Sequence, residues 1–305
     1  MKLRELCERF LDQLHVQRNL SANTVESYGR DLRALMDALA KAGIEDVEAV
    51  DEDALRGHLA AMSRAHKAPA SQRRALSSIR QLFLYAQRER IIIQSPAKHI
   101  EAPEVPRTLP KVPNVTQAGA MLDGLAQDLT PLGLRDRAAL ELLYGAGLRA
   151  SELCTLRFDD VDLSLGLVRP RGKGARERVV PMGEPAVVAL RAYLEKGRPA
   201  LALGEVHDLV FVGNRGRPLT RMGLFNLVKR RAAQAGLDPS VSPHTLRHAF
   251  ATHLVHGGAD LRAVQEMLGH VSIATTEIYT HVGDAALKRT VDLHHPLGQG
   301  SKTSP

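Results

Sequence analysis

The sequence predicts a mainly helical protein with one small antiparallel sheet, arranged as an all-helical amino-terminal part followed by a mixed carboxy-terminal part. Three observations support this prediction. Apolar residues recur at helical spacing over the first ~90 residues, prolines concentrate between residues 95 and 114, and short strand-like runs appear only beyond them. A chain of 305 residues exceeds the usual size of one compact domain, so two domains are expected.

Four amphipathic helices are predicted within residues 1–95. The first starts almost at the amino terminus, and the second begins after the cap-like Ser21 and ends at Gly43. A third begins near Asp51, and a fourth follows Pro69. Helices joined by such short turns form a small bundle.

A proline-rich segment at residues 96–114 separates the two parts. Five of the 16 prolines lie in it: Pro96, Pro103, Pro106, Pro110 and Pro113. Proline lacks a backbone N–H and disfavours helix in the residue before it, so this segment is predicted to be an extended linker. Residues 115–305 then form the second domain.

The second domain mixes helical and strand-like patterns. Helical periodicity is found at 116–127, 135–145, 185–196 and 220–235, and again from Pro243 onward with breaks at glycines. The run DVDLSLGLVRPRGKGARERVVPM (160–182) predicts two or three short strands around a tight glycine turn, and LVFVG (209–213) predicts another strand.

The charge balance favours a polyanionic partner. The chain has 41 Lys and Arg against 34 Asp and Glu, a formal net charge of +7. Such an excess favours nucleic acid over a membrane, although an even spread would only aid solubility. Two cysteines and the lack of a long apolar run predict a cytoplasmic protein that is free of disulfides.

The segment HTLRHAFATH (244–253) is the strongest candidate for a chemical site. Its three histidines suggest a metal site, but Ser242 and Pro243 mark a helix start, which places His244 and Arg247 in the first turn. A helix amino terminus attracts anions and repels cations, and the Glu of a zinc-protease H-E-x-x-H motif is absent. An anion clamp is therefore favoured over a metal.

Three other segments carry matching groups. Arg149 in YGAGLRASEL (144–153) follows a glycine break at the start of a helix, and Lys173 in RPRGKGARER (169–178) stands between glycines at a turn. In LGHVSIATTEIYTHV (268–282), His270 follows a helix-ending glycine and Tyr279 lies in a polar setting. Each signal taken alone also fits a surface cation or a structural tyrosine.

Together these residues give the order R…K…H-x-x-R…H…Y, and on this order the sequence resembles the tyrosine site-specific recombinases of the phage integrase family. The matching segments are GLRASEL, the GKG turn, HTLRHAFATHL, LGH and IYTH, and the likeness covers essentially the whole chain. It is strongest to the Xer subgroup. The QEMLGHVSIATTEIYTHV segment and the HHP tail favour the XerD branch over the XerC branch.

The resemblance implies a fold and a role for each residue. The amino-terminal bundle would be a SAM-like core-binding domain that grips DNA, and the second domain would be of the DNA breaking-rejoining type. Arg149 and Arg247 would clamp the phosphate, and His244 and His270 would assist them. Lys173 would lie on the hairpin, and Tyr279 would be the nucleophile.

The resemblance also implies a reaction that needs neither metal nor ATP and passes through a 3′-phosphotyrosyl intermediate. Double-stranded DNA with a specific recombination site, a paralogous XerC-like recombinase in a heterotetramer and the DNA translocase FtsK are the implied partners. The C-terminal segment, about residues 284–293, would be exchanged between protomers, and a core helix within its own chain is the alternative.

Other functions stay open at this point. A phage-type integrase or a type IB-like topoisomerase would use the same chemistry. A non-catalytic DNA-binding regulator would have no use for Tyr279, and a metallohydrolase is the most distant alternative.

Overall fold

The structure is a computed structural model that describes residues 1–17, 22–104, 112–171, 178–203, 207–269 and 284–297. Its contacts divide the chain into two compact units, Met1–Thr108 and Leu109–Pro305. The described residues are mainly helical and hold one three-stranded antiparallel sheet, as the sequence predicts. None of the helices in these ranges combines the length and the apolar run needed to cross a membrane.

In the described part of the amino-terminal unit, four helices lie where the apolar spacing predicts them. They are α1 (Leu3–Gln17), α2 (Ala22–Lys41), α3 (Glu52–Arg64) and α4 (Pro69–Arg88), with a short 3-10 turn at Val47–Ala49. The predicted start of α3 is confirmed, because the Asp51 side chain accepts a hydrogen bond from Ala54 N at 2.8 Å. The predicted cap Ser21 lies outside the described residues.

The core of this unit is built from aliphatic and aromatic side chains of all four helices, including Leu6, Leu32, Leu55, Leu76 and Phe83. At its edge a charged pair joins α2 to α4, where Arg74 donates to both carboxylate oxygens of Asp31 at 3.0 and 2.8 Å. Ala97 and Ile100, which fall in the predicted linker, are buried in the same core.

Nine helices are described in the carboxy-terminal unit: α5 (Val115–Asp123), α6 (Pro131–Gly145), α7 (Ala150–Cys154), α8 (Glu184–Ala192), α9 (Arg198–Ala202), α10 (Arg221–Gln234), α11 (Pro243–His256), α12 (Leu261–Leu268) and α13 (Asp284–His294). A π-helical turn, Tyr193–Gly197, joins α8 to α9. Helix α6 is buried along most of its length and lies at the centre. Tyr144 and Tyr193 are core residues, as predicted.

The sheet consists of three very short strands, β1 (Val161–Asp162), β2 (Leu167–Val168) and β3 (Val180–Pro181), in the order β1-β2-β3. The glycine turn predicted around Lys173 lies outside the described residues. The strand predicted at 209–213 is wrong, because this segment makes only isolated bridges, from Leu209 to Arg157 and from Val212 to Pro218. The two ends of the segment pair with different parts of the chain, so no continuous ladder of β-sheet hydrogen bonds forms along it.

A buried carboxylate holds α10 against α6. Asp136 accepts hydrogen bonds from Arg230 and Arg231 of α10 at 2.7 and 2.9 Å, and its other oxygen accepts from the adjacent Arg135. A fully buried carboxylate is stable only when it is paired in this way. These hydrogen bonds hold α10 in place, and Arg221 at its amino-terminal end lines the cavity described below.

Helix α13, the predicted exchange segment, packs on the core of its own unit in this structure. Leu287 and Val291 are buried there, and His294 Nδ1 lies 2.7 Å from Gly257 O at the end of α11. His295 lies against the rings of Tyr144 and Phe250, with centroids 4.9 and 5.4 Å away. Passage of this segment to a neighbouring protomer stays a prediction.

The close approach of α11 and α13 predicts a steric effect of Gly257→Ala. A Cβ at Gly257 would lie 2.2 Å from His294 O, so α13 must shift, and we expect a loss of ~1–3 kcal/mol in the free energy of unfolding. Gly119→Ala is the control, since nothing lies within 4 Å of its added Cβ and helix α5 should gain ~0.5–1 kcal/mol.

Urea unfolding and amide hydrogen exchange over residues 284–294 measure these effects. Unchanged amide hydrogen exchange over residues 284–294 in the Gly257→Ala variant would contradict the packing of α13 against α11 described above.

Candidate active site

The loop between α6 and α7 places Arg149. Gly147, two residues after the end of α6, has a φ of +59°, a left-handed conformation that favours glycine. A Cβ there would also lie 2.4 Å from Phe250 Cδ1 of α11, so the loop can approach α11 only through a glycine. Arg149 follows at the N-cap of α7, as the glycine break predicts, with its side chain 41% exposed.

The amino terminus of α11 places His244 and Arg247. The Ser242 hydroxyl accepts a hydrogen bond from Thr245 N at 3.3 Å, and Pro243 occupies the first turn, so the predicted helix start is confirmed. His244 is exposed in this turn, whereas Arg247 is buried. The positive end of the helix dipole adds to the positive charge of Arg247.

Arg247 joins three segments of the unit. Its Nη1 donates to Gly147 O in the α6–α7 loop, and its Nη2 donates to Leu268 O at the end of α12. Helix α12 ends at Gly269, which has a φ of +61° and whose carbonyl accepts from Arg149 Nη2 at 3.3 Å. Both arginines are therefore held by backbone carbonyls at fixed positions.

A buried carboxylate, Glu152 of α7, lies behind the two arginines and is only 3% exposed. Its Oε1 accepts from Arg149 Nη1 and Arg178 Nη1, both at 2.7 Å. Its Oε2 accepts from Arg149 N and Arg178 Nη2, both at 2.8 Å, and lies 3.9 Å from Arg247 Nη1. One carboxylate thus orients the guanidinium groups of Arg149 and Arg178 and offsets the charge of Arg247.

The charges in this cluster shift one another's pKa. Burial alone would raise the pKa of Glu152, but hydrogen bonds and charge from Arg178 and then Arg149 lower it to about 2. Burial and the neighbouring charge of Arg149 lower the pKa of Arg247 to about 10. At neutral pH the carboxylate is ionised and Arg247 keeps its charge.

Arg149, His244 and Arg247 border one cavity of about 410 Å³. Its lining consists of Arg149, Ala150, Ser151, Arg221, Phe225, Pro243, His244, Arg247, His248, Ala251 and Leu268. Three arginines supply positive charge, two histidines add ring nitrogens that can form hydrogen bonds, and no carboxylate is among the lining residues of the described chain. The arrangement suits an anionic group such as a phosphodiester.

The three histidines of the 244–253 segment do not share a site. His244 and His248 line the cavity, but His253 is buried on another side of α11, where its Nδ1 lies 2.9 Å from Tyr144 Oη. Within the described ranges, no cluster of three His, Cys, Asp or Glu side chains could hold a metal ion. The geometry that is described matches the anion clamp.

The structure brings together Arg149, His244 and Arg247 of the predicted site residues. Lys173, His270 and Tyr279 lie outside the described residues. Glu152 and Arg178 were not predicted, because their pairing joins positions 26 residues apart. The only local signal was the Arg149-x-x-Glu152 spacing, in which the acid at the third helical position accepts from the N-cap amide.

Comparison with known proteins places this fold and site in a family. The phage integrase family matches residues 114–286, and the phage integrase N-terminal SAM-like domain matches residues 7–90. The chain is 44% identical over 292 residues to the tyrosine recombinase XerD of Yersinia pestis, with 95% of this chain and 97% of that protein covered. It is 43% identical over 301 residues to XerD of Haemophilus influenzae, with 98% and 100% covered.

A solved structure is also similar. The XerH site-specific recombinase bound to a palindromic difH substrate, in a post-cleavage complex, superposes with a TM-score of 0.67 at 25% identity, covering 84% of this chain and 75% of that one. Fold and site thus define an enzyme that breaks and rejoins DNA. The chain belongs to the phage integrase family, as its sequence resemblance predicts.

The buried carboxylate predicts a pH-dependent effect of Glu152→Gln. A folded pKa of about 2, against about 4.5 in the unfolded chain, means that ionised Glu152 stabilises the fold by about 3 kcal/mol at pH 7. Because the folded pKa is the lower one, this contribution is lost as the pH falls from about 4.5 towards 2.

The measurement is the free energy of unfolding of wild type and Glu152→Gln in urea at pH 7 and pH 3. The difference should be less than half as large at the lower pH. An equal difference at both pH values would show that the carboxylate charge does not stabilise this cluster.

Proposed function

We propose that the protein is a site-specific tyrosine recombinase that cuts one DNA strand and rejoins it to another through a 3′-phosphotyrosyl intermediate. The observation that carries the proposal is the cavity in which Arg149, Arg247 and the amino terminus of α11 meet. A phosphodiester in the transition state gains negative charge, and oriented cations and helix dipoles stabilise that charge. The XerD and XerH relatives support the same chemistry.

The catalytic roles follow from the needs of the reaction. The phenol oxygen of Tyr279 attacks phosphorus, and its proton passes to a histidine or to the phosphate itself. The bond from phosphorus to the 5′ oxygen breaks, and Lys173 donates the proton that this oxygen requires to leave. Attack by the 5′ hydroxyl of another strand then restores a phosphodiester and frees the tyrosine.

His244 and His270 assist this exchange at the phosphate. His244 lies at the amino terminus of α11 and lines the cavity beside Arg247, from which it can donate to a phosphate oxygen. His270 directly follows Gly269, whose carbonyl accepts from Arg149. No ATP is needed, because the phosphotyrosyl bond keeps the energy of the broken phosphodiester. No metal is needed, because the arginines and the helix amino terminus stabilise the charge of the transition state.

The domain roles and partners are part of this proposal. Residues 1–95 grip double-stranded DNA, residues 96–114 link them to residues 115–305, and the latter carry the chemistry. The near-complete coverage of XerD relatives favours resolution of chromosome or plasmid dimers at cell division in the cytoplasm. A heterotetramer with a paralogous XerC-like recombinase and contact with the translocase FtsK would complete that role.

The covalent step predicts a specific effect of Tyr279→Phe. With a nicked suicide DNA substrate, the wild-type protein should form a covalent adduct that resists denaturation, and Tyr279→Phe should form none. Tyr28→Phe is the control, because Tyr28 packs against Phe10 in the amino-terminal unit and its variant should keep the adduct.

Adduct formation should not change with EDTA. Loss with the chelator would favour the metallohydrolase, and absence of any adduct from the wild-type protein would favour a DNA-binding regulator.

The two clamp arginines should differ in their effect on stability. Arg149→Ala and Arg247→Ala are both expected to slow cleavage by about 100-fold or more. Arg247→Ala also leaves the buried carbonyls of Gly147 and Leu268 without their donor, which should cost ~1–3 kcal/mol. Arg149 is 41% exposed, and Glu152 keeps Arg178, so Arg149→Ala should cost less than ~1 kcal/mol.

Single-turnover adduct formation and urea unfolding separate the two effects. Equal destabilisation by both substitutions would contradict the structural role assigned to Arg247.

A further inference from the structure

A buried carboxylate in the amino-terminal unit has no part in the chemistry proposed above. Asp31 of α2 is only 7% exposed, at the edge of an apolar core. Its Oδ2 accepts hydrogen bonds from Arg74 Nε at 3.0 Å and from Ser78 Oγ at 2.9 Å, and its Oδ1 accepts from Arg74 Nη2 at 2.8 Å. The cost of removing such a carboxylate from water offsets much of the attraction within the pair, so net stability is a poor explanation for it.

The pair fixes the orientation of Arg74 and leaves one edge of its guanidinium turned away from the carboxylate. The Arg74 side chain is 52% exposed and binds Asp31 through Nε and Nη2. A guanidinium has five N–H groups in one plane, and a side-on pair of this kind uses two of them. The far edge, formed by Nη1 and the second N–H of Nη2, can bind two oxygens of a phosphate at the same time.

The stretch of chain that contains Arg74 is strongly cationic. Residues 54–88 include seven Lys and Arg and no Asp or Glu. Lys67, in the turn before α4, and Arg73, beside Arg74 on α4, are both exposed. A surface with such an excess of positive charge attracts a polyanion, and the phosphate backbone of DNA is the polyanion that the proposed function supplies.

The carboxylate makes Arg74 a better ligand for such a backbone. An arginine on a surface normally loses much of its rotamer freedom when it binds a phosphate, and this loss weakens the complex. Asp31 has already restricted Arg74 in the free protein, so less freedom remains to be lost. Its negative charge lies on the edge of the guanidinium opposite to the one that faces outward, where it opposes an incoming phosphate least.

We propose that Arg74 binds a phosphate of the DNA backbone and that Asp31 is the positioning residue that orients it. Ser78 of α4 holds the same carboxylate in place from beside Arg74. The inference rests on the proposed function, in which residues 1–95 grip DNA. It adds which side chain contacts the backbone and which buried acid positions that side chain.

The test measures binding of the 305-residue chain to a short fluorescent DNA duplex of mixed sequence over a range of salt concentrations. Arg74→Ala should weaken binding by about 10-fold and reduce the slope of log affinity against log salt by about 1, because one phosphate contact is lost. Asp31→Asn removes a negative charge, which by charge alone would tighten binding. We expect it instead to weaken binding by about 3-fold or more, because Arg74 loses its orientation.

Two further variants separate orientation from folding. If Asp31 acts through Arg74, Asp31→Asn should weaken binding no further in a chain that already carries Arg74→Ala. Arg74→Lys should weaken binding while it keeps the salt slope, because lysine retains the charge but cannot bind a carboxylate and a phosphate through two edges.

Asp37→Asn is the matched control, since Asp37 is an exposed acid on the same helix and the substitution changes the charge equally. It should leave binding unchanged or tighten it slightly. Thermal unfolding of each variant, followed by binding measurements well below the lowest transition, ensures that folded proteins are compared.

Unchanged or tighter binding by Asp31→Asn would overturn the inference, and so would an added loss in the double variant, since Asp31 would then act on the fold alone. Unchanged binding by Arg74→Ala would reduce the pair to a link between α2 and α4 and overturn it as well. Failure of the wild-type protein to bind DNA would refute both the proposed function and the inference. Absence of a covalent adduct, with the binding effects as expected, would refute the recombinase chemistry alone.

Discussion

The carboxy-terminal unit depends on the interaction of the Glu152 carboxylate with the guanidinium groups around it. Arg149 and Arg178 bind both of its oxygens, and Arg247 lies 3.9 Å away. Without a buried negative charge, three cations could not stand this close together, because their mutual repulsion is poorly screened away from water. The carboxylate therefore sets the geometry with which the cavity meets an anion.

The helices around this cluster are arranged to bring their ends to it. The α6–α7 loop, the amino terminus of α11 and the carboxyl end of α12 all reach the cluster, and Arg247 bonds to the carbonyls of two of them. Glycine is required where these ends approach, as at Gly147 against Phe250. Helix α6, buried at the centre of the unit, packs against α7 and α11, which contribute to the cluster.

Local sequence signals predicted a large share of this architecture. Helix starts such as the one at Ser242, and helix ends such as the one at Gly269, depend on neighbouring residues in the sequence. The positions of Arg149 and Arg247 could therefore be predicted. The pairing of Arg178 with Glu152 could not, because a contact between distant positions leaves no periodic pattern. The run at 209–213 has the composition of a strand, yet it is buried by packing and bridges two different segments.

The unequal numbers of cations and anions in this cluster have a consequence for the free protein. Three guanidinium groups face one carboxylate, so a surplus of two positive charges is immobilised before any substrate arrives. Self-repulsion within that surplus opposes folding, and an incoming phosphodiester relieves it. A bound phosphodiester should therefore raise the free energy of unfolding of the carboxy-terminal unit, because it neutralises positive charge that Glu152 alone leaves uncompensated.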